Sequence, residues 1–139
     1  MGAERLICGI KFSFMRSFAV AFFVLFLTAG ASRLQAQSLT NTAWKFYVEP
    51  LHDTLTMHIG ADTSFSTSSS GEMIVRSLWK QVKDTVRIND VDGTYPCTAG
   101  EGVYRVSVEG DYLLFTMVVD PCNQRADAIN GIKFKKAGR

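Results

Sequence analysis

The feature that most constrains the fold is an alternation of apolar and polar residues with a period of two, which begins near Ala43. Trp44, Phe46 and Val48 share one face of the first run, with Lys45 and other polar residues between them, and the run 54–59 repeats the pattern. Successive side chains of a β-strand point to opposite faces. The alternation therefore predicts strands with one buried face.

Similar short runs continue to the end of the chain, separated by turn-forming residues at intervals of about eight to twelve residues. They are 64–68, 72–82, 85–88, 104–109, 112–119 and 132–136. The run 112–119 is apolar on both faces, which predicts that it is the most buried strand. About eight short antiparallel strands with hairpin-length connections predict an all-β protein, a small up-and-down β-barrel. A β-sandwich is the alternative.

One short helix is expected between the last two strands, over the segment 121–130. Asp120 is suited to cap it, Pro121 to occupy its first position and Gly131 to end it. We therefore predict one or two helical turns before the last strand.

Residues 1–36 differ from the rest and predict a secretory signal peptide. The apolar run FAVAFFVLFL at 18–27 is preceded by Lys11 and Arg16 and followed by small residues. A basic start, about ten apolar residues and a small-residue exit are typical of such peptides. A membrane span needs about 20 apolar residues, so a retained anchor is the less favoured interpretation.

Cleavage after Ala36 is expected, with Ala31 as the alternative, and Met15 is an alternative start. The mature chain would then be one exported domain, 37–139, in the periplasm or outside the cell. Without 1–36 the chain keeps eleven basic and twelve acidic residues, so the positive net charge belongs to the targeting segment. No basic patch remains that would favour nucleic acid or an anionic membrane as a partner.

The cysteines indicate a disulfide. Cys8 lies in the expected signal peptide, which leaves Cys97 and Cys122 as a pair in the mature chain. An even count in an exported domain favours a bond between them, with free or metal-binding thiols as the alternative. Closing a loop of about 25 residues stabilises the folded state by about 3.5 kcal/mol in the chain-entropy relation.

Signals of catalysis and of metal binding are missing from the sequence. It contains no G-x-S-x-G, no Walker loop and no H-E-x-x-H motif. Asp90 and Asp92 are explained by turn formation in a glycine-containing loop. His52 and His58 are interpreted as surface residues. We therefore expect a protein that is not an enzyme and that needs no metal or cofactor.

A family resemblance covers residues 41–136. It is carried by Asn41-Thr42-Ala43-Trp44, the turn and strand from Asp62 to Ser66, Cys97 with Gly102-x-Tyr104, Gly110-Asp111-x-Leu113, Asp120-Pro121-Cys122-x-x-Arg125 and Phe134. In these features the chain resembles the bacterial lipocalin-like β-barrel domains. It departs from the lipocalin G-x-W motif, since Thr42 replaces the glycine. The resemblance implies that Arg125 stacks on Trp44 in a cation–π contact.

The expected function is that of a binding module that holds a small hydrophobic or amphipathic ligand in the barrel. The candidate ligand-binding residues are Trp44, Phe46, Met57, Trp79, Tyr104, Phe115, Met117 and Arg125. Arg125 is interpreted either as an anchor for a ligand carboxylate or as a structural plug. In the alternative hypothesis these aromatic residues fill the barrel, and the protein acts through its surface. It would then be a structural module or a protease inhibitor that inserts residues 37–41 into its target.

Overall fold

A computed structural model describes residues 37–138, which form eight β-strands and one α-helix. The strands are β1 (Thr42–Val48), β2 (Asp53–Ile59), β3 (Thr63–Thr67), β4 (Met73–Val82), β5 (Thr85–Asp92), β6 (Gly102–Glu109), β7 (Tyr112–Val119) and β8 (Lys133–Lys136), and the helix is α1 (Asn123–Ile129). A turn of 3-10 helix, Glu49–Leu51, joins β1 to β2. The predicted signal peptide lies outside the described residues.

The strands form one closed barrel in which each pairs antiparallel with the next and β8 pairs with β1. Trp44 lies opposite Lys136 at this closing seam. Just beyond it, the amide of Ala137 donates to the carbonyl of Ala43 at 2.8 Å. Closure pairs the two strands that would otherwise be edges of an open sheet. The predicted all-β, up-and-down barrel with a short helix before its last strand is confirmed.

The connections divide between the two ends of the barrel, as the up-and-down topology requires. Tight turns join β2 to β3, β4 to β5 and β6 to β7 at one end, which we call the turn end. The 3-10 turn, the serine-rich loop 68–72, the loop 93–101 and α1 lie at the opposite end, which we call the mouth. Leu39, just before β1, is buried at the turn end, where its amide donates to Gln81 Oε1 at 3.1 Å.

Aromatic side chains fill the middle of the barrel around Phe115, whose side chain is fully buried. Trp79 and Tyr104 contact Phe115 edge to face, with ring centroids at 6.3 and 6.1 Å. Phe134 lies 5.0 Å from Phe115 and stacks on Phe46 at 4.1 Å. Such pairs add about 0.5–1.5 kcal/mol each beyond the area that they bury.

The prediction that 112–119 is the most buried strand is wrong. In β7 only Leu113 and Phe115 are buried, whereas Met117, Val118 and Val119 are 41%, 58% and 56% exposed. The reason is the length of its neighbour, because β8 has four residues and pairs only with the start of β7, Tyr112–Leu114. The second half of β7 therefore extends beyond Lys133, the first residue of β8, and has no β8 residue beside it.

Phe65 on β3 faces outward and is 37% exposed. The inward positions of β3 are taken by Ser64 and Ser66, both buried. Phe65 stacks instead on His58, with ring centroids 4.7 Å apart. His58 is thus packed against the outer surface of the sheet.

The helix begins later than predicted. Cys122 is its N-cap, and the Cys122 Sγ accepts from the amide of Arg125 at 3.3 Å. Asp120, the predicted cap, lies two residues before this N-cap, and its Oδ1 accepts a hydrogen bond from the amide of Cys122 at 2.8 Å. Gly131 follows the helix with a φ of 74°, as expected for a residue that ends it.

The predicted disulfide between Cys97 and Cys122 is present, with a Cα–Cα distance of 6.3 Å. It joins the loop 93–101 to the start of α1 and so links two segments of the mouth. Within residues 37–138, no helix is long and apolar enough to cross a membrane.

Replacing Phe115 by alanine should lower the free energy of unfolding by about 3–5 kcal/mol, because it removes the centre of the aromatic core and leaves a cavity. Val118→Ala is the matched control, since Val118 lies on the same strand and is largely exposed. Urea denaturation followed by tryptophan fluorescence measures both changes. Equal losses in the two variants would contradict this description of the core.

Candidate functional site

The mouth of the barrel contains a cavity of about 540 Å³. This volume lies within the range of about 300–1,000 Å³ that is usual for small-molecule sites. Its walls are largely apolar and come from β1 to β5, the 3-10 turn, the loop 93–101, α1 and the residue Ile132 that follows it. The apolar lining residues include Phe46, Val48, Pro50, Leu51, Leu55, Met57, Ile74, Val75, Ile88, Ala128, Ile129 and Ile132. Such walls suit an apolar or amphipathic small molecule.

The cavity exists because two inward positions on neighbouring strands carry small side chains. Ser66 on β3 and Ser77 on β4 are 3% and 4% exposed, and both line the cavity. A strand of a small barrel normally places larger apolar residues at such positions, which fill the interior. The barrel is therefore filled in its middle and hollow at its mouth.

A buried ion cluster stands at one side of the cavity. Arg125 of α1 binds Asp120 through two hydrogen bonds, Nε to Oδ2 at 2.7 Å and Nη2 to Oδ1 at 2.8 Å. Its Nη2 also donates to the carbonyl of Gly100 at 2.7 Å. Nη1 lies 3.3 Å from Asp90 Oδ1, although it is not aligned for a hydrogen bond. The three side chains are 7% exposed for Arg125, 5% for Asp90 and 0% for Asp120.

Further donors satisfy the two carboxylates. The hydroxyl of Tyr104 donates to Asp120. Asp90 accepts from the Ser77 hydroxyl at 2.8 Å and from the amide of Cys97 at 2.9 Å. The cluster therefore joins the ends of β5 and β7, the loop 93–101 and α1, and it lies beside the disulfide.

Gly102 at the start of β6 leaves the space that Asp120 occupies. A Cβ built on Gly102 would collide with the Asp120 carboxylate, lying 2.8 Å from its Cγ, and would be 2.9 Å from Tyr104 Cε2. The absence of a side chain at this position thus allows Asp120 to sit under the guanidinium of Arg125.

The electrostatics of the cluster favour its charged form. Burial alone would raise the pKa of Asp120, but hydrogen bonds from Arg125, Tyr104 and the amide of Cys122 outweigh burial and hold the pKa below its ordinary value. Burial alone would lower the pKa of Arg125, yet Asp120 and Asp90 raise it overall. Burial and the Asp120 carboxylate together raise the pKa of Tyr104. Arg125 and Asp120 are thus charged, and the Tyr104 hydroxyl keeps its proton, at neutral pH.

Of the two interpretations of Arg125, these contacts fit the structural plug. Nε and Nη2 are both occupied, and Nη1 is buried, out of reach of solvent. A ligand carboxylate in the cavity would have to compete with two carboxylates already in place. The contact with Trp44 that the family resemblance implied is wrong, because the guanidinium is held between Asp120 and Asp90 at the mouth. Trp44 Nε1 donates instead to Thr42 Oγ1 at 2.8 Å.

The predicted ligand-binding residues fall into three groups. Phe46, Met57 and Arg125 line the cavity. Four are buried but do not line it, and they are Trp44, Trp79, Tyr104 and Phe115. Met117 is 41% exposed, on the part of β7 that extends past β8, and does not line it either. The structure therefore brings three of the eight residues together at the cavity.

Other lining residues were missed in the sequence analysis. Ser66 and Ser77 are not among the candidate residues, because a serine within a strand carries no apolar signal of an inward position. Their signal was positional, since Ser66 is two residues from Ser64 on the inward face of β3. Ile129 at the end of α1 and Ile132 after it are also not among the candidates, because which residues near the helix face a cavity depends on tertiary packing. Asp90 was interpreted only as a turn residue.

Within the described part of the chain, no three histidine, cysteine or acidic residues come together in a way that could hold a metal ion. No protein-family model matches the chain, and a comparison with the curated proteins and with the solved structures found no match.

Replacing Arg125 by methionine should lower the free energy of unfolding by about 3–5 kcal/mol, because Asp120 and Asp90 are left buried without a counter-charge. Arg76→Met is the matched control. Arg76 pairs with Asp92, but both side chains are half exposed. Solvent screens such a pair, so the control should change stability far less. Chemical denaturation measures both, and a similar loss in the control would contradict a special role of the buried cluster.

The stability should also decrease in acid because of Asp120. Its pKa is lower in the folded protein than its ordinary value of 3.8, so the unfolded chain binds the proton more tightly. The stabilisation from its carboxylate is complete above about pH 5 and is lost as the pH falls below about 4, towards the folded pKa. Denaturation between neutral pH and acid should show a smaller decline for Asp120→Asn than for the unchanged protein. Parallel pH profiles would contradict this assignment.

Proposed function

We propose that the protein is an exported, non-enzymatic binding module that holds a small hydrophobic or amphipathic molecule in its barrel. The observation that carries the proposal is the cavity of about 540 Å³ at the mouth, with its largely apolar walls. Each Å² of apolar ligand surface that moves from water into such an environment stabilises the complex by about 25 cal/mol. A lipocalin-like origin, suggested by the motifs described above, is part of the same proposal.

A prearranged mouth further supports binding. The Cys97–Cys122 disulfide and the Arg125 cluster hold α1 and the loop 93–101 in place. A site that is already ordered loses less conformational entropy when a ligand enters. Export is consistent with the disulfide, since such bonds persist in oxidising compartments.

The alternative function, a protease inhibitor that inserts residues 37–41, has less support. Leu39 in this segment is 1% exposed, and its amide is bound to Gln81. The Gln81 side chain also donates to the carbonyl of Gln37 at 2.9 Å. Insertion into a protease would first require these contacts to break.

A thermal-shift screen with fatty acids, long-chain alcohols and amines, and aromatic compounds tests the proposal. At about 100 times its Kd, a ligand that binds only the folded state adds about 2.7 kcal/mol to its stability. At least one class should therefore raise the Tm by several degrees. A screen in which no class raises the Tm would overturn the carrier proposal.

A pair of variants on α1 tests whether the ligand binds in the cavity. Ala128 lines the cavity, whereas Ala126 does not. Ala128→Phe should fill part of the cavity and abolish the Tm rise, while Ala126→Phe should retain it. If both variants respond to the ligand as the unchanged protein does, binding occurs elsewhere and the cavity is not the site.

A further inference from the structure

The charges around the cavity point to the chemical class of its ligand. Four charged residues line it, and they are Glu49, Asp90, Arg125 and Asp127. Three of these are acidic and one is basic. Arg125 is also paired with Asp120, which stands behind it and is fully buried. The mouth is therefore net negative, although its walls are apolar.

Two of the acidic residues, Glu49 and Asp127, lie at the solvent-exposed edge of the cavity, which we call the rim, whereas Asp90 is buried. Glu49 in the 3-10 turn and Asp127 on α1 are exposed to solvent. Neither forms a salt bridge within the described part of the chain, where the four ion pairs involve other residues. The carboxylate of Asp90, by contrast, already accepts hydrogen bonds from Ser77 and Cys97 and pairs with Arg125. Glu49 and Asp127 are thus the carboxylates that remain free to meet a ligand.

A cationic head group fits this rim better than an anionic one. A carboxylate would approach two exposed carboxylates. Nε and Nη2 of the single guanidinium already bind Asp120 and Gly100, and the buried Nη1 lies 3.3 Å from the carboxylate of Asp90. An ammonium group would be attracted by both acids while its apolar chain occupied the cavity. Tyr95 also lines the cavity and is 49% exposed. Aromatic rings attract alkylated ammonium groups through the cation–π interaction.

We propose that the cavity selects amphiphiles with a positively charged, alkylated ammonium head over those with a carboxylate head. The apolar chain lies against the walls near Phe46, Met57 and Ile88, and the head lies at the rim with Glu49 and Asp127. This inference rests on the proposed carrier function, since it names the ligand class of the same cavity.

Three probes with the same alkyl chain test the selection, and they are decyltrimethylammonium, decanol and decanoate. Each is titrated calorimetrically into the full exported protein below its critical micelle concentration. We expect the ammonium probe to bind most tightly, decanol less tightly and decanoate most weakly. The preference of the ammonium probe over decanol should shrink at high salt, because salt screens exposed charges.

Two double variants locate the head group. Glu49→Gln with Asp127→Asn should weaken binding of the ammonium probe by about threefold to tenfold, the effect expected of two exposed charge contacts. Binding of decanol should stay unchanged. The control, Asp62→Asn with Glu109→Gln, removes the same number of charges from exposed residues near the turn end. It should leave binding of the ammonium probe unchanged.

The possible outcomes separate the two proposals. If none of the probes binds and the screen described above is also negative, the carrier function itself fails. If decanoate binds as tightly as the ammonium probe, the carrier function stands and the charge selection is wrong. If the control variant weakens the ammonium probe as much as the rim variant does, the overall charge of the protein and not the rim attracts it, and the proposed head-group site is wrong.

Discussion

The shape of the mouth depends on one buried arginine. Arg125 joins Asp120 after β7, Asp90 at the end of β5 and the carbonyl of Gly100, and so ties three chain segments to α1. Burying three charges is unfavourable unless they are paired, and here Tyr104 and the Cys97 amide add hydrogen bonds to the two carboxylates that face Arg125. The arrangement therefore specifies one position for the helix. The disulfide then acts at the same place, so a covalent bond and a polar network constrain the same segments.

The interior divides into two halves according to the size of its side chains. Around Phe115 the rings of Trp79, Tyr104 and Phe134 pack with centroids 6.3, 6.1 and 5.0 Å from that of Phe115. Towards the mouth, the serines on β3 and β4 do not reach across the barrel. A choice between a filled and a hollow barrel is thus too simple, because one part of the same interior is filled and the other is hollow. The filled part stabilises the fold and gives the cavity a rigid floor.

The barrel could be predicted from the sequence because strand periodicity and turn residues are local signals. The inward positions of β1, such as Trp44 and Phe46, follow from a spacing of two. The burial of β7 could not be predicted in this way, because it depends on how far β8 extends beside it. The disulfide was predicted because Cys8 lies in the expected signal peptide, which leaves Cys97 and Cys122 as a pair. The position of Arg125 between two carboxylates was not predicted, because Asp90 is far from it in sequence and the sequence holds no signal that they meet.

The closing seam has a consequence for the order in which the barrel forms. Hairpins such as β4 with β5 join neighbouring residues, so they can form as soon as both strands are available. The seam pairs Trp44 with Lys136, which belong to the first and the last strands. Contacts between such distant residues slow folding, because a long loop must be closed before they stabilise anything. Until β8 arrives, β1 has an unpaired edge that another chain can use, and the barrel is most prone to aggregate during this interval.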